Sequence, residues 1–256
     1  MKTILLASTV LLSTMSYAQG DLVAADDSVK NGKELRYRLN EIEVSNRDTE
    51  VVLGELEAKS KKGMIIAPDG KIACYFENTA GDGASLKSML FKVQKVKYRT
   101  EAHIRLYSKH DYMQDLYAQD GSTVSYASFI PGEQIKTEEI VVSLEPGQKG
   151  VIEIDLTKYD IAMPADGLFV SLEGVGYFDA EGKELTGLDA KEMAWVDFHP
   201  TTKDNYCEWT ATQGTQSRFW LNINKRIKKD FEIAFKKAPS KKILRAPNFG
   251  LKVTRK

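Results

Sequence analysis

LFKVQKVKY, residues Leu90–Tyr98, is the stretch that decides the fold. Phe91 and Val93 alternate with Lys92 and Gln94, and the beat resumes at Val96 and Tyr98 between Lys95 and Lys97. Successive side chains of a strand point to opposite faces, so this text offers one apolar face to a core and a lysine-rich face to water. The same beat runs outward in both directions. Downstream lie Ala102-Ile104-Leu106, Ile140-Val142-Leu144, Ile152-Ile154-Leu156, Phe169–Leu172, Trp195–Phe198, Phe219-Trp220-Leu221, Phe231-Ile233-Phe235 and Phe249-Leu251-Val253. Upstream are Leu35-Tyr37-Leu39, Ile42-Val44, and the compact runs Val51–Leu53 and Met64–Ile66. Pro68-Asp69-Gly70, Gly81-Asp82-Gly83, Pro146-Gly147, Ala165-Asp166-Gly167 and Ala180-Glu181-Gly182 punctuate them as turns. Many short strands with one wet face and no sustained helical period predict an all-β, antiparallel, jelly-roll-like β-sandwich. Helix is expected only as a short piece near Asp111–Ala118.

Composition excludes several classes. The chain has 256 residues, 36 Lys+Arg against 36 Asp+Glu, 42% hydrophobic residues and two Cys. That is a globular composition, without the overall charge that would draw the whole protein to nucleic acid, and without enough cysteine for a disulfide scaffold or a four-Cys zinc site.

The N-terminus reads as an address. Lys2 precedes the apolar run Ile4–Leu12, and Ser16-Tyr17-Ala18 supplies a small-x-small cleavage pattern. A run this short does not cross about 30 Å of hydrocarbon. A signal peptide over 1–18 is expected, leaving Gln19 as the new N-terminus. Export follows, to the periplasm, the outer-membrane surface or the medium. A polar leader over 19–33, a β-rich segment over 34–85 and a sandwich domain over 86–256 complete the expected organisation, with the glycine-rich turn near Gly81–Ser88 as boundary. In an oxidising compartment Cys74 and Cys207, each in a strand-like run, either pair or remain two buried thiols.

The stretch Leu90–Val253 resembles a β-sandwich module of Bacteroidetes-type envelope proteins associated with carboxypeptidase-like regulatory domains. The matching text includes Phe91–Tyr98, Ile104–Tyr107, Pro131-Gly132-Glu133, Glu139–Val142, Ile154–Ile161, Pro164–Glu173 and Asn248–Leu251. The resemblance implies a sandwich and an envelope setting, and it carries no catalytic residue. One departure stands out: a short turn of the family is replaced by a long segment between Ser108 and Pro131. Such a segment is longer than ordinary loops. Its Tyr112, Tyr117, Tyr126 and Phe129 make it a candidate binding loop, while Tyr112, Met113, Leu116 and Tyr117 fall at helical spacing. Capping the end of the core is the alternative role.

Catalytic patterns are sparse. His110-Asp111 with Asp115 and Asp120 has no metal-site spacing and reads as polar surface; His103 and His199 read as strand and turn residues. Asp179–Glu184 resembles the start of a calcium loop, but its twelfth position is Ala190, so a hairpin turn is the better account. No Gly-x-Ser-x-Gly elbow occurs, and no pattern calls for a cofactor. Charge is uneven: Leu221–Lys256 carries twelve Lys/Arg against two acids, and Pro131–Met193 fourteen acids against five Lys. Lys241, Lys242 and Arg245, beside Pro239 and Pro247, form a candidate basic surface for anionic envelope partners; strand neighbours that balance the charge are the alternative. Trp195, Trp209 and Trp220 are candidate sugar platforms. The reading that follows is an exported, non-enzymatic binding or structural protein of the cell envelope, with a glycan or a surface protein as partner. A secreted glycan hydrolase using paired carboxylates is the alternative.

Overall fold

The computed structural model describes residues 49–56, 61–117, 121–211, 218–240 and 243–255, all within the unit Ser45–Lys256. The expected signal peptide, the polar leader and the runs at Leu35–Val44 lie outside the described residues, as do Asp120, Lys241 and Lys242. No described helix is long and apolar enough to cross a membrane.

Two antiparallel sheets carry the chain. The first contains β1 (Thr49–Gly54), β2 (Lys61–Ile65), β4 (Ser85–Val93), β8 (Gly150–Asp155), β10 (Trp195–Pro200), β13 (Arg245–Pro247) and β14 (Phe249–Arg255). Its order is β1-β14-β4-β10-β13, with β2 beside β10 and β8 beside β4. The second contains β3 (Lys71–Phe76), β5 (Arg99–Tyr117), β6 (Thr123–Gln134), β7 (Ile140–Leu144), β9 (Leu168–Phe178), β11 (Tyr206–Ala211) and β12 (Arg218–Asn222). Its order is β12-β11-β3-β9-β5-β6, with β7 beside β5. Among the described residues the fold is therefore an all-β sandwich, as the alternation predicts.

The alternation is visible in the burial. In β7 Ile140, Val142 and Leu144 are buried while Val141 and Ser143 are exposed, and Ala102, Ile104 and Leu106 of β5 point inward between half-exposed neighbours. LFKVQKVKY leaves the ladder after Val93, yet Val96 is still fully buried and its N–H donates to Gln148 O at 2.9 Å. The main core lies between the sheets. Leu86, Met89, Phe91, Phe249, Leu251 and Val253 meet Ile72, Cys74, Phe76, Ile104, Leu106, Val170 and Leu172 there. The turn at Ala165-Asp166-Gly167 needs its glycine: Gly167 has φ +84°, and a Cβ there would lie 2.2 Å from Phe76 O.

The strands before Gly81 share the two sheets with the strands after it. β1 and β2 belong to the first sheet, and β3 sits inside the second between β11 and β9. Two helical readings also change. Of the helix expected at Asp111–Ala118, the described residues Asp111–Tyr117 are strand: β5 runs on through Tyr117 and pairs with β6 as one long hairpin. Tyr112, Met113, Leu116 and Tyr117 suit helical spacing, but the partner strand supplies hydrogen bonds that a lone turn of helix lacks. Conversely, Phe231-Ile233-Phe235 is not a strand. It belongs to α1 (Ile223–Phe235), the only α-helix among the described residues. Asn222 caps α1 by accepting from Lys225 N at 3.0 Å, and Ile223, Ile227, Phe231 and Phe235 recur every four residues along it.

The thiols are separate. Cys207 stands opposite Ala73 and Cys74 opposite Tyr206, so a one-residue offset sends their side chains to opposite faces of the sheet. Cys74 lies in the inter-sheet core and Cys207 in a smaller cluster on the other face. Both are free and buried, so the pairing option gives way to two thiols. Intact-mass measurement with an alkylating agent is expected to show no modification of the native protein and two modified thiols after unfolding.

The closing strand carries the most exacting packing. β14 is inserted between β1 and β4, and Leu251 and Val253 are fully buried. Leu251→Asp places an unpaired carboxylate in that core and is expected to cost about 4 kcal/mol or more in urea unfolding; an unchanged urea midpoint would remove β14 from the core.

Candidate functional site

A cleft of about 430 Å³ opens at one end of the sandwich, lined by β1 (Val51–Gly54), the end of β3 (Tyr75, Phe76, Glu77), Thr79, Phe129 of β6 and the β10–β11 connection (Lys203–Asn205). Its volume falls within the usual range for small-ligand sites. Strand alternation builds its floor. Tyr75 and Phe169 are cross-strand partners, and Phe129 arrives from the long hairpin to meet both rings, with centroids at 5.3 and 6.0 Å. The Tyr75 hydroxyl donates to Asp166 O, which fixes the ring.

The rim is polar. Asn205 Nδ2 donates to Cys74 Sγ at 3.2 Å and to Tyr75 O at 3.4 Å. Lys203 Nζ lies 3.0 Å from Glu55 Oε1, and Glu77 and Thr79 are exposed. Asp204 turns its carboxylate away to Lys225 and Lys228 of α1, at 3.4 and 3.2 Å.

Behind the rim lies a chain of polar groups centred on His199, which the sequence suggests only as a turn residue. Buried His199 meets Glu55 Oε2 through Nε2 at 2.7 Å and Asn248 Oδ1 through Nδ1 at 2.9 Å. Burial pushes the Glu55 carboxyl up, but the hydrogen bonds and charges of Lys203 and His199 outweigh it and hold the group below its ordinary range. Both ring nitrogens of His199 are thereby occupied. The ring ties the end of β1, β10 and the β13–β14 junction together and offers no nitrogen to activate a nucleophile. Cys74 is no nucleophile either: burial pushes its thiol up to about 12, so it stays protonated at neutral pH. The cleft combines an aromatic floor with hydrogen-bonding sides.

A second polar cluster sits on the concave face of the second sheet, which curls until β6 approaches β12. Asn222 Nδ2 of β12 donates to Phe129 O at 3.1 Å, and the Tyr107 and Trp220 rings meet edge to face at 5.8 Å. Inside the curl, buried Glu173 accepts from Tyr107 at 2.7 Å and Ser171 at 2.9 Å, and pairs with Lys71 at 2.8 Å and Arg105 at 3.3 Å. Cross-strand register explains the meeting: Lys71 faces Glu173, Ala73 faces Ser171 and Ser171 faces Arg105. No local motif announces it, because its members come from three strands far apart in sequence.

The residues singled out from sequence scatter. Phe129 enters the cleft. Tyr126 is buried, Tyr112 is half-buried with its hydroxyl donating to Gln114 Oε1 at 2.8 Å, and Tyr117 is exposed on the hairpin at 77%. Arg245 is exposed at the start of β13, away from the cleft lining. Trp209 lies under Lys71 and Arg218, each at 4.8 Å from the ring, and Trp195 donates to Ala190 O at 3.0 Å. His110 is exposed and its neighbour Asp111 pairs with Lys109 at 2.9 Å; His103 lies 3.9 Å from Glu139. Asp179 spends its carboxylate on the N–H groups of Glu181 and Lys183, at 3.1 and 2.8 Å, the geometry of a hairpin turn. Of the uneven charge, Lys252 of β14 meets Glu153 of β8 at 2.6 Å across β4 within the first sheet, a pair of the balancing kind.

Glu173 makes stability depend on pH. Burial raises its pKa, but Lys71, Tyr107 and Ser171 outweigh burial and leave it lowered. In the unfolded chain the group protonates near its ordinary value of about 4.3. The folded protein therefore holds the full contribution above that value and loses it as pH falls toward the lowered pKa. Glu173→Gln should cost about 2–3 kcal/mol at neutral pH by leaving Lys71 and Arg105 uncompensated, with the deficit shrinking in acid; denaturant unfolding at pH 7 and pH 3.5 checks it.

Comparison of the chain with protein-family models, with curated proteins and with solved structures finds no match.

Proposed function

We propose that this chain is an exported, non-enzymatic binding protein of a bacterial cell envelope, and that it holds a short glycan in the cleft between β1 and the β10–β11 connection. The observation that carries the reading is the cleft's chemistry. Sugars present an apolar ring face and a girdle of hydroxyls. The floor of Tyr75 and Phe129 suits the first, and Lys203, Asn205, Thr79 and Glu77 suit the second. The leader over 1–18 and the resemblance to envelope sandwich modules support the setting. A binding role also accords with a His199 that is spent on structure and a Cys74 that stays protonated.

Thr79 is exposed on the cleft wall, so Thr79→Trp should fill the space without disturbing the core. Titration calorimetry against a panel of short envelope and plant glycans is expected to find a ligand whose affinity falls at least about tenfold in this variant, the equivalent of about 1.4 kcal/mol, with the melting temperature unchanged. Glycan binding indifferent to Thr79→Trp would place the site elsewhere, and no binding across the panel would end the glycan reading.

A further inference from the structure

α1 leaves an apolar end uncovered. Its first turns dock on the sandwich: Ile223 packs against the main core, and Ile223, Asn224 and Ile227 line a small cavity with Phe198 and Tyr206. Its last turns do not. Phe235 is 60% exposed, Ile233 40%, and Phe231 stacks on Phe235 with centroids 4.6 Å apart. Burying such a ring in protein is the usual outcome, and here Phe235 stands in the solvent with half-buried Phe231 behind it.

Exposed cations follow this apolar end. Among the described residues from Ile223 to Arg245 there are seven Lys/Arg and two acids. Lys225 and Lys228 are tied to Asp204, Arg226 to Asp230 and Lys229 to Glu232. Lys236 and Lys237, directly after the helix, are exposed. Lys236 is the left-handed cap, with φ 51° and its N–H donating to Glu232 O, so the chain turns sharply there and keeps both lysines beside the Phe235 end. An exposed ring next to a pair of exposed lysines matches a bilayer whose headgroups are anionic: the ring enters the interface and the cations meet phosphates. A protein groove would require an apolar lining with an acidic rim, and a second copy of this helix would oppose like charges.

We propose that the C-terminal end of α1, with Phe235, backed by Phe231, as the inserting group and Lys236 and Lys237 as the headgroup contacts, docks the protein on an anionic phospholipid surface. The association is peripheral and reversible, since one short amphipathic end buries little area. It is separate from the cleft, which can fail as a glycan site without touching it.

The test is flotation of the purified exported protein with phosphatidylcholine vesicles, alone or with a third of the lipid as phosphatidylglycerol. Binding is expected only to the anionic vesicles, weakening as salt rises. Phe235→Ser should lower it at least about tenfold, and so should Lys236→Glu with Lys237→Glu. All three positions are exposed, so thermal unfolding should match the parent and show that the variants fold. Lys95→Glu, an exposed charge change outside α1, should leave binding as it was. Equal binding to neutral and anionic vesicles, no binding to either, or binding indifferent to the Phe235 change would overturn the proposal. So would a dimer that dissociates in the Phe235→Ser variant without any lipid association, which would assign the face to a second copy.

Discussion

The insertion of β14 between β1 and β4 is the constraint on which the rest of this structure rests. The last strand completes the first sheet by pairing with the first described strand on one side and with β4 on the other. Until it arrives, Phe91, Leu86 and Met89 lack Phe249, Leu251 and Val253 on their flank. The pairing joins residues about as far apart in sequence as the described chain allows, so its loop-closure entropy is offset only when the whole inter-sheet core forms with it. It also brings Asn248 against His199, and through His199 it anchors Glu55 at the end of β1. One side of the cleft is thus held by the same event that closes the sandwich.

The two sheets use polar groups differently. The first closes through apolar packing, with buried His199 and with buried Asp197 held by Gln94 and Lys92. The second curls, and its inner face is lined by partly buried Lys71 and Arg105 around buried Glu173. Burying these charges apart would be costly; gathered around one carboxylate with Tyr107 and Ser171, they satisfy one another. Tyr107 and Trp220 then seal the curl. This arrangement gives the cleft a rigid floor, since Phe169 and Phe129 lie on the same side of the sheet as Tyr107 and Trp220.

The long hairpin and α1 show how two segments outside the sandwich proper acquire different uses. The hairpin of β5 and β6 sends Phe129 into the cleft, buries Tyr126, and leaves Met113 and Tyr117 in solvent. α1 carries the chain from β12 in one sheet to β13 in the other, and a helix is a compact way to make that crossing. Its docked half serves the fold, and its free half is available for a surface.

The sequence by itself determined the fold class, because the period of two in segments such as Ile140–Leu144 and Ala102–Leu106 leaves no other way to bury the apolar side chains, and the glycine turns locate most strand ends. It also marked β14 through Phe249, Leu251 and Val253. What it left open was everything that depends on which strands become neighbours. Tyr112-Met113-Leu116-Tyr117 fits a helix as well as a strand until β6 is found beside it, and Phe231-Ile233-Phe235 fits a strand until Asn222 caps a helix ahead of it. Cys74 and Cys207 lie in adjacent strands, and only a one-residue register offset separates them. The cleft belongs to the same category: Phe129 was singled out, while Tyr75, Lys203 and Asn205 carry no local signature. Side-chain period is a property of each strand alone, so it is written in the sequence; register and sheet curl are set by pairings between distant segments, so only the tertiary structure decides them.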